Sequence, residues 1–174
     1  GAGSVLNKRR NYDAAYPRLA ASVALYTTPD ALLVLTESLI RLGRTDDAVT
    51  AGEWGVKLNP YHDGSHYLLG NGYARRNYTE LAAAYPAAFA DSTGRMALAA
   101  ADRKLAAGDR AGARAGYEAV RKTHAGWADP RVRIASLDFE DGRFEAARDR
   151  CFEALAICPE YGRAHATLAK ALEF

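Results

Sequence analysis

Apolar side chains recur along this chain at spacings of three and four residues. Leu32, Leu35 and Leu39 fall on one helical face, as do Leu69 and Tyr73, and Leu168 and Leu172 near the end. Short segments rich in Gly, Asn and Asp interrupt these runs. The runs are poor in Val and Ile and rich in Ala, the strongest helix former, which argues against sheet. The pattern predicts an all-α chain.

Four of the interruptions align. Gly43-Arg44-Thr45-Asp46-Asp47-Ala48, Asn77-Tyr78-Thr79-Glu80-Leu81-Ala82, Gly108-Asp109-Arg110-Ala111-Gly112-Ala113 and Gly142-Arg143-Phe144-Glu145-Ala146-Ala147 begin 34, 31 and 34 residues apart. A weaker copy, Arg10-Asn11-Tyr12-Asp13-Ala14-Ala15, lies 33 residues before the first. Each reads as a tight turn between two helices. Gly or Asn at its head can take the left-handed conformation that ends a helix. Thr45 and Thr79 are placed to cap the helix that follows, with acidic residues favourable in its first turn. The closing Ala leaves room for a neighbouring helix. Pro60 and Pro159, each 17 residues after a turn glycine, mark the stop between one helical pair and the next. Residues 12–26 read as a second helix lacking its first. Residues 1–11 are then expected to be a cloning remnant, Gly1-Ala2-Gly3-Ser4, and a basic segment whose run Lys8, Arg9 and Arg10 is solvated.

The period and the turns resemble the tetratricopeptide repeat. Residues 29–60 carry Leu32, Leu35, Leu39, Gly43, Ala48 and Pro60 at the family's places; residues 63–93 carry Leu69, Gly70, Tyr73 and Ala82. Residues 94–127 carry Ala101, Gly108, Ala113 and Tyr117; residues 128–159 carry Ile134, Ala135, Gly142, Phe144, Ala147, Ala154 and Pro159. Residues 12–28 supply a half repeat, and residues 162–174 a last first helix with Leu168, Ala169 and Leu172 inward and Arg163, Lys170 and Glu173 outward. The resemblance implies a right-handed α-solenoid of antiparallel helix pairs over residues 12–174, with a concave face. The repeats are degenerate. Lys104 and Asp138 stand where the family has an aromatic, and Gly52 and Gly55 replace larger side chains. The second repeat is three residues short, and Pro86 inside its second helix predicts an irregularity around residues 85–94.

By the family register, the concave face belongs mostly to the first helix of each pair. That places Leu33, Glu37 and Arg41, then Tyr67, Asn71 and Arg75, then Leu98 and Asp102, then Val132, Ser136 and Phe139 in one groove. An apolar floor with a few hydrogen-bonding groups suits a peptide or an amphipathic helix of another protein. Relatives that clamp a C-terminal carboxylate need a basic or amide residue where this chain has Leu33 and Val132, so that mode is not expected. Nucleic acid is not an expected partner either: the formal net charge is only +2, and Leu33, Glu37, Asp102 and Val132 interrupt any basic track.

Candidate chemistry changes this picture little. Residues 61–78 hold two His, two Asn, two Arg and four Tyr, the densest polar and aromatic stretch of the chain. His62 and His66 have a metal-ligand spacing, but helix start signals fall at Asp63 or Ser65. A cap at His62 and a surface histidine at His66 are expected instead of a metal site. Gly70-Asn71-Gly72 follows no strand, so it is not a dinucleotide loop; Gly70 and Gly72 serve helix packing. Ser65 and His66 are adjacent and do not face each other on a helix, so neither catalysis nor a cofactor is expected. Cys151 and Cys158 lie in one helix with Cα atoms about 10 Å apart at its rise, beyond the ~7 Å limit of a disulfide, and are expected free and buried. Trp127, in a Gly-Pro turn, is expected to plug a gap between helical pairs, and Trp54 to lie on an outer face. No apolar run approaches the ~20 residues that span a bilayer, and no leader is visible. No membrane insertion is expected; compartment, whether cytoplasmic or exported, and oligomeric state stay open. Abundant Ala and Arg are compatible with a GC-rich bacterial genome. The expected function is a non-catalytic protein–protein interaction scaffold. The alternative, motivated by half repeats at both ends, is a regulatory or substrate-presenting arm of a larger enzyme.

Overall fold

The structure is a computed structural model that describes residues 2–8, 10–75 and 91–174. These residues form ten helices and no strand: α1 (Ala2–Lys8), α2 (Tyr12–Leu25), α3 (Pro29–Arg41), α4 (Thr45–Leu58), α5 (Asp63–Ala74), α6 (Ser92–Ala106), α7 (Arg110–Thr123), α8 (Asp129–Glu140), α9 (Phe144–Ile157) and α10 (Gly162–Leu172). They fall into two compact units, one ending at residue 75 and one comprising residues 91–172 with Phe174. The turn at residues 77–82, Thr79 within it and Pro86 lie outside the described residues. Among the described residues no helix is long and apolar enough to cross a membrane.

One turn is built three times. Gly43, Gly108 and Gly142 have φ of +74°, +84° and +75°, the left-handed region that a Cβ disfavours. The residue after each glycine closes a six-residue loop onto the preceding helix: Arg44 N–H to the Leu39 carbonyl at 3.0 Å, Asp109 to Lys104 at 2.9 Å and Arg143 to Asp138 at 2.8 Å. This is the Schellman pattern, which satisfies carbonyls a helix end would otherwise orphan. The following helix begins at once, so each pair runs antiparallel. Asp109 caps α7 by accepting from Gly112 N–H at 2.8 Å. Thr45 does not cap α4 as expected. It is the first helical residue, and Arg44 holds the cap position with its Nε on Asp47 at 2.7 Å.

In the first unit Ala15, Leu19 and Val23 of α2 pack with Leu32, Leu35, Leu39 and Ile40 of α3 and with Ala48 and Ala51 of α4. Val49, Leu69 and Tyr73 extend the core between α4 and α5. The glycines of α4 allow that approach: a Cβ at Gly52 would stand 3.2 Å from Leu69 Cδ1, and one at Gly55 2.7 Å from Ser65 Oγ. The expectation that α2 lacks a first helix is overturned. Residues 2–8 are helical, a Cβ on Gly3 would touch Leu19 at 3.0 Å, and Asn7 Nδ2 donates to Glu37 Oε2 at 2.7 Å. Gly3 lets this seven-residue helix approach α2 closely. Lys8 and Arg9 are not described in side-chain detail; Arg10 is exposed.

In the second unit Leu98, Ala101, Ala113, Tyr117, Val120, Trp127, Ile134 and Leu137 form one cluster, and Val132, Ala154, Cys158 and Ala164 another. Trp127 is 9% exposed and fills the space over Gly94, as a plug between pairs. Trp54 lies exposed on α4. Cys151 and Cys158 are buried and form no disulfide; burial pushes the Cys151 thiol up to about 12. On α10, Ala164, Leu168 and Ala169 are buried while Arg163 and Lys170 are exposed, as is Glu173 beyond its end.

Candidate functional site

Helix α5 starts where its sequence predicts. His62 is the N-cap: its Nδ1 accepts from Ser65 N–H at 3.2 Å and lies 2.8 Å from Ser65 Oγ. His66 is not the expected surface histidine. It is 1% exposed, with Nε2 2.8 Å from the Pro60 carbonyl. Burial lowers its pKa, so the ring is held neutral. The same arrangement recurs in the second unit, where buried His165 sets Nε2 2.8 Å from the Pro159 carbonyl. Each of these prolines follows a second helix, and each histidine ties the next first helix back to that stop.

With Ser65, His66, Leu69, Gly70, Gly72 and Tyr73 buried, α5 turns Tyr67, Asn71 and Arg75 outward. These residues are four apart, so they form one stripe. Tyr67 is 58% exposed. The stripe runs beside α3 because the two helices touch at both ends. A Cβ on Gly64 would meet Leu33 at 3.1 Å, and Arg75 Nη1 reaches the Ile40 carbonyl at 3.5 Å. On α3, Leu33 and Glu37 are half-buried, and Arg41 is exposed. Glu37 is committed to Asn7 of α1.

The predicted groove residues of the second unit are occupied internally. Leu98 is 5% exposed and Val132 fully buried; both are core, which corrects their assignment to a groove. Their helices carry neighbours on that side, so the family register alone misplaces them. Asp102 accepts from Tyr117 Oη at 2.6 Å and pairs with Arg133. Burial and that bond push Tyr117 up to about 12. Ser136 Oγ donates to the Val132 carbonyl of its own helix at 3.0 Å. Phe139 packs against Phe144 and Phe174, whose rings stack 4.4 Å apart.

Two arginine networks cross this unit. Arg133 bridges Asp102 to Asp129, 3.0 Å away, and Asp129 accepts from Tyr161 Oη at 2.5 Å and meets Arg163 at 3.5 Å. Burial opposes the charge on Arg133, yet the two carboxylates more than offset it and hold its pKa above the ordinary arginine value. The second network surrounds Asp138, 2% exposed at the place where the family carries an aromatic. Arg114, Arg143 and Arg150 contact its oxygens at 2.8, 2.8 and 3.1 Å. Arg110, Arg114 and Arg143 converge again on Asp141 at 2.6, 3.1 and 2.6 Å. Sequence reading did not single out Arg110, Arg114, Arg133 or Arg143; an Asp at an aromatic place was the available signal.

Three left-handed glycine turns with the same closing bond, the pairing of consecutive helices and the repeated His–Pro tie fix the type of fold. The repeats are tetratricopeptide-like. No protein-family model matches the chain, and no curated protein matches it. Solved structures similar to it include TTC0263, a thermophilic tetratricopeptide protein of Thermus thermophilus, at 20% identity over 99% of this chain and 96% of that one with a TM-score of 0.43. MamA is similar at 14% identity over 99% and 94% with a TM-score of 0.39. The TPR2AB domain of yeast Sti1, solved in complex with pHSP90, is similar at 18% identity over 97% and 80% with a TM-score of 0.44. Lys104 is exposed on α6, and Asp138 is compensated by three guanidiniums.

Proposed function

We propose that the chain is a non-catalytic interaction module that takes a peptide or helix of a partner protein along α5 and α3. The observation that carries this reading is the outward stripe Tyr67, Asn71 and Arg75 on a helix whose other residues are largely buried. Tyr67 offers a large amphipathic ring at low entropic cost, Asn71 offers both a donor and an acceptor, and Arg75 adds charge. Leu33 supplies an apolar flank and Glu37 a carboxylate already held in place. An extended peptide needs this mixture of anchor and hydrogen-bonding groups. The residues of the second unit no longer belong to the proposed surface, because Leu98 and Val132 are core and Asp102, Ser136 and Phe139 are spent on internal contacts.

The test is affinity capture from host lysate on wild-type protein and on a Tyr67→Ala, Asn71→Ala double variant. Loss of an interfacial Tyr anchor costs about 2 kcal/mol or more, so a partner of this face is clearly depleted on the variant. A partner retained equally by both proteins refutes the α5 assignment.

A further inference from the structure

We propose that a cleft in the second unit binds an oxyanion, the phosphate or carboxylate of a side chain on a protein partner. The cleft encloses about 290 Å³ and is lined by Arg110, Ala111, Arg114, Leu137, Asp141 and Arg143. Its lining carries three guanidiniums against one carboxylate. Two further acids, Asp138 and Glu140, reach these guanidiniums from outside the lining. Asp138 is not part of the lining and also pairs with Arg150, which Glu118 shares at 3.5 Å. Glu140 is an exposed side chain on the rim, held to Arg110 at 2.5 Å by an ion pair that water weakens.

Arg110 is the informative residue. Asp138 is satisfied by Arg114, Arg143 and Arg150 without it. Arg110 instead binds Asp141, Glu140 and the Leu137 carbonyl, groups at the cleft or its rim. It is therefore a positive charge that the fold's buried carboxylate does not require. Each guanidinium offers five N–H donors. Arg110 Nε and Arg143 Nη1 have no partner among the described residues. Planar guanidinium forks match the paired oxygens of phosphate and carboxylate. Leu137 and Ala111 keep part of the wall apolar and so strengthen those bonds. The site sits beside the turn that Asp141 and Arg143 flank, and its fate is independent of the α5 reading.

The measurement is an NMR titration of the full chain with inorganic phosphate, and in parallel with acetate, at ionic strength fixed by sodium chloride. Saturable shifts are expected at arginine Nε–H signals and at the amides of residues 109–114 and 137–143. Saturation by phosphate points to a phosphorylated side chain and saturation by acetate to Asp or Glu; either supports the site. Arg110→Gln is expected to weaken binding about ten-fold or more, because charge-assisted bonds are lost. Arg110→Lys, which keeps the charge without the fork, falls between, and Arg44→Gln in the first unit has no effect. Arg110 is partly exposed, and circular dichroism checks that each variant is folded. No saturable shift with either anion, or equal binding by Arg110→Gln, overturns the proposal.

Discussion

The two units share a turn, a helical period and a buried His–Pro tie, yet they dispose of polarity in opposite ways. In the first unit, α5 buries one face and leaves Tyr67, Asn71 and Arg75 outward; its described ion pairs, Arg44–Asp47 and His62–Asp30, lie at helix starts. In the second, carboxylates on first helices are consumed by arginines, Asp102 and Asp138 by arginines of other helices and Asp129 by Arg133 of its own helix and Arg163 of α10. A first-helix face is available to a partner only where the fold has not already used its polar groups. Shared register does not confer shared surface.

The sharpest way to break this contrast is Asp138→Ala. It leaves Arg114, Arg143 and Arg150 without their buried carboxylate, and removing one partner of a buried ionic cluster costs about 3–5 kcal/mol. Chemical denaturation should show that loss, while Asp47→Ala in the first unit leaves the midpoint unchanged. A small effect at Asp138 would mean the guanidiniums relax into water and the network is ornamental.

Close packing gives the next largest effect. A Cβ at Gly94 would stand 2.5 Å from Trp127 Cη2 and 2.8 Å from Cζ3, against a ring held in the core. Gly94→Ala is expected to cost about 1–3 kcal/mol by overpacking. Gly72→Ala, 3.0 Å from one Val49 methyl in the first unit, should cost less. Reversed ranking in thermal melts would show that Trp127 is not fixed.

A pH dependence follows from His66. Its folded pKa lies below the ordinary 6.5 because of burial, with the His62 field adding and the Pro60 and Asp63 interactions opposing. As pH falls through 6.5 the unfolded chain takes the proton first, so stability present above that pH is lost progressively below it. His66→Gln should flatten the slope of melting temperature between about pH 8 and pH 5, roughly a unit and a half on either side of an ordinary histidine. An unaltered slope would assign the effect to other groups. The smallest effect on stability is expected for Tyr67→Ala with Asn71→Ala, within about 0.5 kcal/mol of wild type, because exposed side chains contribute little to folding. A large loss there would show that the stripe supports the fold.

The turns were legible because positive φ restricts residue choice so sharply that Gly43, Gly108 and Gly142 betray their geometry. The caps were less so. Thr45 looks like a cap by type, but the Schellman closure already positions Arg44 there. His66 looked polar and therefore exposed; the Pro60–His66 spacing, repeated at Pro159 and His165, carried the opposite message. Asp138 was visible only as a departure, since its burial depends on Arg114 arriving from α7 and Arg143 and Arg150 from the start and middle of α9. Leu98 and Val132 were misplaced because register tells which helix a residue rides on, not what lies across from it.

Cys151 gives the second unit a built-in clock. A thiol with no exposed surface and a pKa pushed up to about 12 presents almost no thiolate to an alkylating reagent while its helix stays packed. Each modified Cys151 then records an excursion in which α9 came away from its neighbours. The rate of labelling reports how often this half of the molecule opens under native conditions, without any denaturant.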